Sequence, residues 1–511
     1  MIGGAWRLIP GGTVQSRNPA RPSHIVWSGD PRPAAAAEAV SSARKALGAW
    51  ASWTLEQRTR VLRRFQEIAK AREAEAAGLL RDEVGKVRWD AAAEASLLAG
   101  KIDVTLEPGG ALERVTGRTV QLGPGKSGKW WFRPHGVMAV VGPFNFPMHL
   151  PNGHIAPALL MGNTIVFKPS DKAPACGQLL AAMYLEALDA EGAPPGVMNL
   201  VHGGADVASA LVGAESDIDG VLFTGSWPVG RRIMEASLDR PGRILALEMG
   251  GNNAAVIMPD ADLRQAVIEC VRSAFVGCGQ RCTCTRRLIV HEAVASTVIA
   301  AVCRAAEQLA VGPPGSTDTN FMGPLVSDAA ARAVTSAFDA MVRGGGAPLL
   351  PCRRLELLEG GYFVSPGVLQ VERFTCDCVG EDDEAALARD AGADVEVFGP
   401  VLRVSVVSSL EEAISQTNAT RFGLAASIFT KDQSAAEAFA AKARAGCINW
   451  NTGTAGASGR LPFGGLGLSG NHRPAGAFSL DYCGHPVASM VESGNAATVA
   501  PGMRFEDSWL A

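Results

Sequence analysis

The 511-residue sequence has no uninterrupted apolar run near the roughly 20 residues that a membrane-spanning helix needs, so a membrane protein is not expected. It also has no excess of positive charge. A net charge of −4 and a pI near 6.1 argue against nucleic acid and against an anionic membrane surface as partners, since both select basic patches. The eleven cysteines follow no regular spacing, and Met1 to Pro10 carries neither the basic stretch nor the long apolar stretch of a secretory leader. Reduced thiols in the cytoplasm are therefore the expectation. The tightest of the extra cysteine pairs, Cys376-Asp377-Cys378, has no second pair or histidine pair at ligand spacing to complete a tetrahedral site, so no metal is expected. The Gly-x-Gly-x-x-Gly loop is missing as well, which removes the usual Rossmann fingerprint. What remains is a chain with 47% hydrophobic residues, too long for one core, expected to fold as two or three domains around a small-molecule site.

The chain is organised around Leu247 to Arg287. This stretch opens with Leu247-Glu248-Met249-Gly250-Gly251-Asn252-Asn253 and closes with Gly279-Gln280-Arg281-Cys282-Thr283-Cys284. A cysteine attacks as its thiolate, which needs polar, partly open surroundings. Cys282 lies at a polar break between an apolar helix end and the run Leu288-Ile289-Val290. Taken alone, it would more readily be a buried structural thiol, as Cys284 beside it is expected to be. Glu248 ends an apolar run where glycines begin, a strand-end position suited to a general base. Asn145 stands in Gly142-Pro143-Phe144-Asn145-Phe146-Pro147, where two prolines and a glycine hold one amide rigidly, as oxyanion stabilisation requires.

Ahead of this, Ala43 to Trp50, Gln57 to Val84 and Asp90 to Lys101 have helical periodicity, and Arg114 to Pro134 reads as a β-hairpin whose exposed aromatics suit a partner. Short β-branched runs then alternate with helices. Val137 to Val141, Thr164 to Phe167, Met198 to Val201, Gly220 to Phe223 and Ile244 to Leu247 predict a doubly wound parallel sheet. A second α/β series runs to about Gly446, with strands near Arg287 to Val290, Val401 to Val407 and Ala425 to Phe429. Phe223-Thr224-Gly225-Ser226-Trp227-Pro228-Val229-Gly230 leads from a strand into a helix expected at Arg231 to Leu238. It is either a plain strand-to-helix turn or a pyrophosphate site at a helix N-terminus. Cys378 to Gly392 reads as a surface insertion, Tyr482 to Ser493 as a strand returning to the hairpin, and Gly494 to Ala511 as a polar, loosely held tail.

With its glutamate thirty-four residues before the cysteine, the motif pair resembles the paired signature of the aldehyde dehydrogenase superfamily. The resemblance implies an α/β chain of the aldehyde dehydrogenase fold. It assigns residues 1–113 and 134–246 to a Rossmann-like NAD-binding domain, 247–446 to the catalytic domain and 447–481 to an active-site segment. Residues 114–133 and 482–493 become an oligomerisation arm, implying a homodimer or homotetramer, and 494–511 the tail. It makes Cys282 the nucleophile and Glu248 the base, with Asn145 and the Cys282 N–H holding the oxyanion. Gly225, Ser226 and Gly230 become the phosphate turn, Lys168 the ribose contact, and Glu396 and Phe398 the nicotinamide side. The cofactor implied is NAD, with Asp171 near the ribose repelling a 2′-phosphate.

A second level of resemblance covers most of the chain. Asn145 to His154, Gly279 to Cys284, Asn449-Trp450-Asn451, Thr454 to Ser458, Pro462 to Gly465 and Ser469 to Pro474 are similar to the succinylglutamate semialdehyde dehydrogenase branch. This implies an aldehyde substrate with distant carboxylates, N-succinylglutamate 5-semialdehyde, received by Gly456, Ala457 and Ser458 with Arg281 and Arg460 adding charge. The alternative for that set is a tight turn and solvated arginines, and the alternative substrate is another acidic or aliphatic aldehyde. A catalytically inactive binding protein of the same fold is the competing class. NADH production from aldehydes separates it from the enzyme.

Overall fold

The computed structural model describes every residue except 316–318, 358–359, 377–381 and 495–496. An antiparallel hairpin, Val14–Asn18 with Arg21–Gly29, precedes a helical layer of Ala34–Ala51, Leu55–Ala71, Glu73–Val84 and Arg88–Leu106. Thr54 and Gln57 close a reciprocal capping box at the second helix. The expected single helix from Gln57 to Val84 is broken at Arg72, whose φ of −104° and ψ of 16° leave the helical region. The break lets Val61, Leu62 and Phe65 on one side and Ala76, Leu80 and Val84 on the other enter one core.

The first sheet has five strands in the order Met198–Leu200, Thr164–Lys168, Val137–Val141, Gly220–Thr224 and Ile244–Glu248, all parallel. Alternate residues of its central strands face opposite cores. Met138 and Val140 join the cluster under the helical layer, while Val137, Ala139 and Val141 join the one on the other face. Burial on both faces is why these strands are continuous apolar runs.

The second sheet has seven strands in the order Ala347–Leu350, Gly367–Gln370, Val401–Val407, Thr285–His291, Asn253–Ile257, Ala425–Phe429 and Cys447–Trp450. Only Ala347–Leu350 runs antiparallel to its neighbour. Residues 249–252 join the carboxyl end of the last strand of the first sheet to the amino end of Asn253–Ile257 in the second. The loop before Thr285–His291, which carries Cys282, and the loop before Val401–Val407, which carries Glu396 and Phe398, open at that same amino end. The carboxyl end of one sheet therefore meets the amino end of the other, and the motifs collect there.

Arg118–Gly123 and Lys126–Pro134 form the expected hairpin, and Gly484–Glu492 returns to pair with Lys126–Pro134 along its full length. Two expectations need correction. Within the span read as a surface insertion, Asp383–Arg389 is a helix that buries Ala386 and Leu387 in the second core; residues 377–381 lie outside the described residues. The tail is less polar than expected. Met503, Phe505, Trp509 and Leu510 are exposed, and the Phe505 and Trp509 rings meet edge to face at 5.8 Å. Among the described residues no helix is long and apolar enough to cross a membrane, and no group of three or more acidic, His or Cys side chains is arranged to hold a metal ion.

Candidate active site

The loop that carries Cys282 is bent by three successive left-handed residues, Gly277, Cys278 and Gly279, with φ of 60°, 59° and 69°. Left-handed backbone is costly at a residue with a side chain, and such residues cluster at functional sites. Here the Cys278 thiol donates to the Gly323 carbonyl at 3.0 Å, which helps hold the bend. Beyond it, Asn145 Nδ2 donates to the Gln280 carbonyl at 2.9 Å, and Asn253 Nδ2 donates to the carbonyls of Cys282 and Cys284 at 2.7 and 2.9 Å. The Asn145 amide keeps a second N–H, and the Cys282 N–H has no acceptor among the described residues. Two donors are thus left unpaired, one in the Cys282 loop and one on the side chain bonded to that loop, the number an oxyanion needs.

Cys282 is partly exposed, as its polar frame predicts. Its thiol is nonetheless not poised as a thiolate. Burial, with the Glu396 and Glu248 carboxylates adding to it, pushes the pKa up to about 12, against a smaller opposing effect of Arg286. An expectation drawn from neighbours in sequence missed the two acidic side chains that folding brings near.

Glu248 ends its strand and is 5% exposed. Burial raises its pKa well above the carboxylate range, opposed by a hydrogen bond from the Ala475 N–H to Oε1 at 3.3 Å, while Oε2 is buried without a partner. The C-terminal segment fixes this strand end. Asn471 accepts from the Leu247 N–H and donates to the Leu245 carbonyl, both at 2.9 Å, as a neighbouring strand would. Only the ionised carboxylate can accept a proton from water through its free oxygen, and the raised pKa makes that ionised form the stronger base.

On the cofactor side, the helix after the Gly225 turn is Trp227–Glu235, four residues earlier than expected, so Ser226 directly precedes it. Pro228 is tolerated because its missing N–H falls in the first turn. The Ser226 hydroxyl makes no capping bond and is free for a ligand at the positive end of the helix. The Gly225 N–H donates to the Glu248 carbonyl at 3.0 Å, and a Cβ at Gly230 would meet Met249 Sδ at 2.3 Å, so the turn is seated against the strand that carries Glu248.

Lys168 is buried and donates to the carbonyls of Pro169 and Gly203, both at 2.8 Å. Burial lowers its pKa to about 8, with Asp171 and Asp206 opposing. Glu396 Oε1 accepts from the Gly251 N–H at 3.1 Å and from Arg286 at 3.5 Å, and burial raises its pKa. It fills the space over Gly250, where a Cβ would stand 1.8 Å from its carboxylate. Phe398 meets Phe144 edge to face at 5.9 Å. An uncapped helix end, a buried lysine and a partly buried glutamate at the strand ends and loops of this region fit a dinucleotide.

The structure does not gather the expected substrate residues. The Arg281 guanidinium donates to Asp90 at 2.5 Å and lies over the Phe146 ring at 4.9 Å. Asp90 belongs to a buried charged row with Lys86 and Glu94 on the helix Arg88–Leu106 and the turn before it. Gly456, Ala457 and Ser458 form an exposed loop, and Arg460 there pairs with Glu107 at 3.2 Å. Sequence reasoning missed Asn253, Asn471 and Arg286, whose partners are distant in sequence. The two asparagines already stood inside quoted motifs.

A thiol and a buried carboxyl placed between two sheets, beside a helix end suited to phosphate, match the arrangement expected of an oxidoreductase that acts on aldehydes. Residues 6–485 match the aldehyde dehydrogenase family, and the chain belongs to it. It is 42% identical over 494 residues to N-succinylglutamate 5-semialdehyde dehydrogenase 2 of Caulobacter vibrioides, with 96% of each chain covered. The N-succinylglutamate 5-semialdehyde dehydrogenase of Escherichia coli K12 is 39% identical over 510 residues, 99% of this chain and 98% of that one. Among solved structures, 1-pyrroline-5-carboxylate dehydrogenase from Thermus with bound NAD is similar at a TM-score of 0.85 and 30% identity, covering 96% of this chain and 92% of that one. Glyceraldehyde-3-phosphate dehydrogenase from Methanocaldococcus jannaschii complexed with NADP reaches a TM-score of 0.85 at 26% identity, covering 95% and 100%.

Proposed function

We propose that this aldehyde dehydrogenase oxidises N-succinyl-L-glutamate 5-semialdehyde to N-succinyl-L-glutamate with NAD, a step of arginine catabolism. The observation that carries the reading is the similarity of 39–42% identity, over nearly the whole length, to relatives named for that substrate. Cys282 loses its proton and adds to the aldehyde carbon, and the oxyanion is held by the Asn145 amide and the Cys282 N–H. NAD held in this site would supply the hydride acceptor, and loss of hydride from that carbon leaves the acyl group on Cys282 as a thioester. Glu248 takes a proton from water, which attacks the thioester and releases the acid and the thiol. Burial and the two nearby carboxylates favour the protonated thiol, so deprotonation of Cys282 is part of the step that forms the bond to the aldehyde carbon.

Gly225, Ser226 and Gly230 are proposed to receive the pyrophosphate, Lys168 the adenosine ribose, and Glu396 and Phe398 the nicotinamide ribose and ring. NAD is preferred over NADP because Asp171 and Asp206 bring negative charge to the Lys168 end of the site. The exposed loop Gly456-Ala457-Ser458 is proposed to receive the distal carboxylate, whereas the Arg281 charge is already met by Asp90. The chain is proposed to divide into the domains expected above and to assemble through its arm as a homodimer or homotetramer. All ten described cysteines are free thiols, which suits the cytoplasm.

The test is kcat/KM for succinylglutamate semialdehyde, glutamate semialdehyde, succinate semialdehyde and a neutral aldehyde of equal length, with NAD and with NADP. The first substrate and NAD should give the highest values. A preference for the neutral aldehyde overturns the substrate, and a preference for NADP overturns the cofactor.

A further inference from the structure

Arg286 is 2% exposed and touches three separate parts of the site. Its Nε donates to the Gly251 carbonyl at 3.3 Å, in the turn that follows Glu248. Its Nη1 and Nη2 donate to the carbonyls of Gly279 and Arg281 at 3.1 and 3.0 Å, bracketing Gln280 in the loop that presents Cys282. Nη2 also reaches Glu396 Oε1 at 3.5 Å, and the guanidinium lies 5.2 Å from the centre of the Phe398 ring. The adjacent Arg287 points to the opposite face of its strand and bonds the carbonyls of Asn252, Gln416 and Thr417. The two neighbouring arginines therefore have different work. Arg287 braces the sheet, whereas Arg286 faces the chemistry.

We infer that Arg286 is a positioning residue that couples the two halves of the site. It holds the Cys282 loop in register with the Gly250-Gly251 turn, and it keeps Glu396 and Phe398 aligned for the nicotinamide end of the cofactor. A planar guanidinium can serve acceptors on several sides at once, and a lysine ammonium cannot reproduce that fork. Its charge also opposes that of Glu396 and Glu248 near the thiol, which eases deprotonation of Cys282. The inference rests on the reading of Cys282 as nucleophile and Glu396 as a cofactor contact.

The test separates the two effects without turnover. Alkylation of Cys282 by iodoacetamide is followed from pH 6 to 11 in the cofactor-free protein, with Cys282→Ala as background. NAD affinity is measured by calorimetry on the same proteins. In Arg286→Met alkylation should slow threefold or more at each pH below the midpoint, displacing the profile upward, and NAD affinity should fall tenfold or more. Arg286→Lys should recover the alkylation profile but not the affinity, a split that mere loss of packing would not produce. The inference is overturned if the Met variant stays within threefold of the parent in affinity with an unmoved profile, or if the Lys and Met variants lose both properties equally. Should the Met variant fail to fold, Arg286→Lys decides alone: loss of affinity beyond threefold with an unmoved profile supports the inference, and any other result overturns it. If the parent binds no NAD, the cofactor reading fails, and the displacement of the alkylation profile between parent and Met variant still decides whether Arg286 acts on Cys282.

Discussion

Glu248 carries a stability prediction whose sign follows from its burial. Its folded pKa lies well above the ordinary value of 4.5. Below pH 4.5 the group is protonated in folded and unfolded chains alike, and its favourable contribution to folding is fully present. As pH rises, the unfolded chain releases the proton first, so that stability is lost up to the folded pKa, at about 1.4 kcal/mol for each pH unit. Glu248→Gln, neutral throughout, should melt at least about 1 °C above the parent at pH 7.5 and with it at pH 4. Equal melting at both pH values would show that burial does not raise the Glu248 pKa. The same variant should slow thioester hydrolysis and leave a burst of NADH in pre-steady-state kinetics, because an amide cannot take the proton of water. Cys282→Ala should abolish turnover and leave NAD affinity within about threefold, and residual turnover at the parent rate would remove Cys282 from the chemistry. Cys282, Glu248 and Asn145 were legible because each stands in a polar or glycine-rich break after an apolar run. Arg286 was not, since it reads as one of two arginines opening a strand and its acceptors Gly251 and Glu396 are 35 and 110 residues away.

Among the elements, those packed on both faces were the easiest to read. The strands Val137–Val141, Val401–Val407 and Ala425–Phe429 have the limits expected from their apolar runs. Asn253–Ile257 was missed although fully buried, because Asn-Ala-Ala carries no β-branched signal until its end. Cys447–Trp450 was missed because its four residues make too short an apolar run, and the first hairpin because partial exposure leaves much of it polar. The approach of two loops was also invisible in the sequence, and it makes a prediction at this scale. Gly279 has φ +69°, and a Cβ there would stand 2.0 Å from the Gly399 carbonyl oxygen and 2.8 Å from the Pro400 nitrogen. These are backbone atoms that cannot swing aside. Gly279→Ala should therefore force the Cys282 loop away from the loop of Glu396 and Phe398, destabilising the protein by roughly 1–3 kcal/mol. Activity should fall more than tenfold while the circular dichroism spectrum stays native. Parent activity in this variant would mean that contact between the two loops is not needed.

For the whole molecule, the outermost residues bear on assembly. Arg118–Gly123 and Gly484–Glu492 are the outer strands of the three-stranded arm, and both expose apolar side chains: Val120 at 45%, Leu122 at 53%, Met490 at 78% and Val491 at 49%. Outer strands with apolar faces are a liability for an isolated chain, which natural proteins cover or charge. The tail that follows the arm adds exposed Phe505 and Trp509. The return of the C-terminal strand to the hairpin was legible from Tyr482 to Ser493. If a second copy covers the sheet of the arm, light scattering should give the mass of a dimer or tetramer for the parent. Leu122→Asp combined with Met490→Asp should shift that mass to the monomer, since an unpaired carboxylate buried in an apolar contact costs several kcal/mol. Every residue assigned to the chemistry belongs to one chain and lies away from these two positions, so the variant should bind NAD within about threefold of the parent. A parent that is monomeric at micromolar concentration would end the arm's proposed role in assembly and leave its apolar face to another partner.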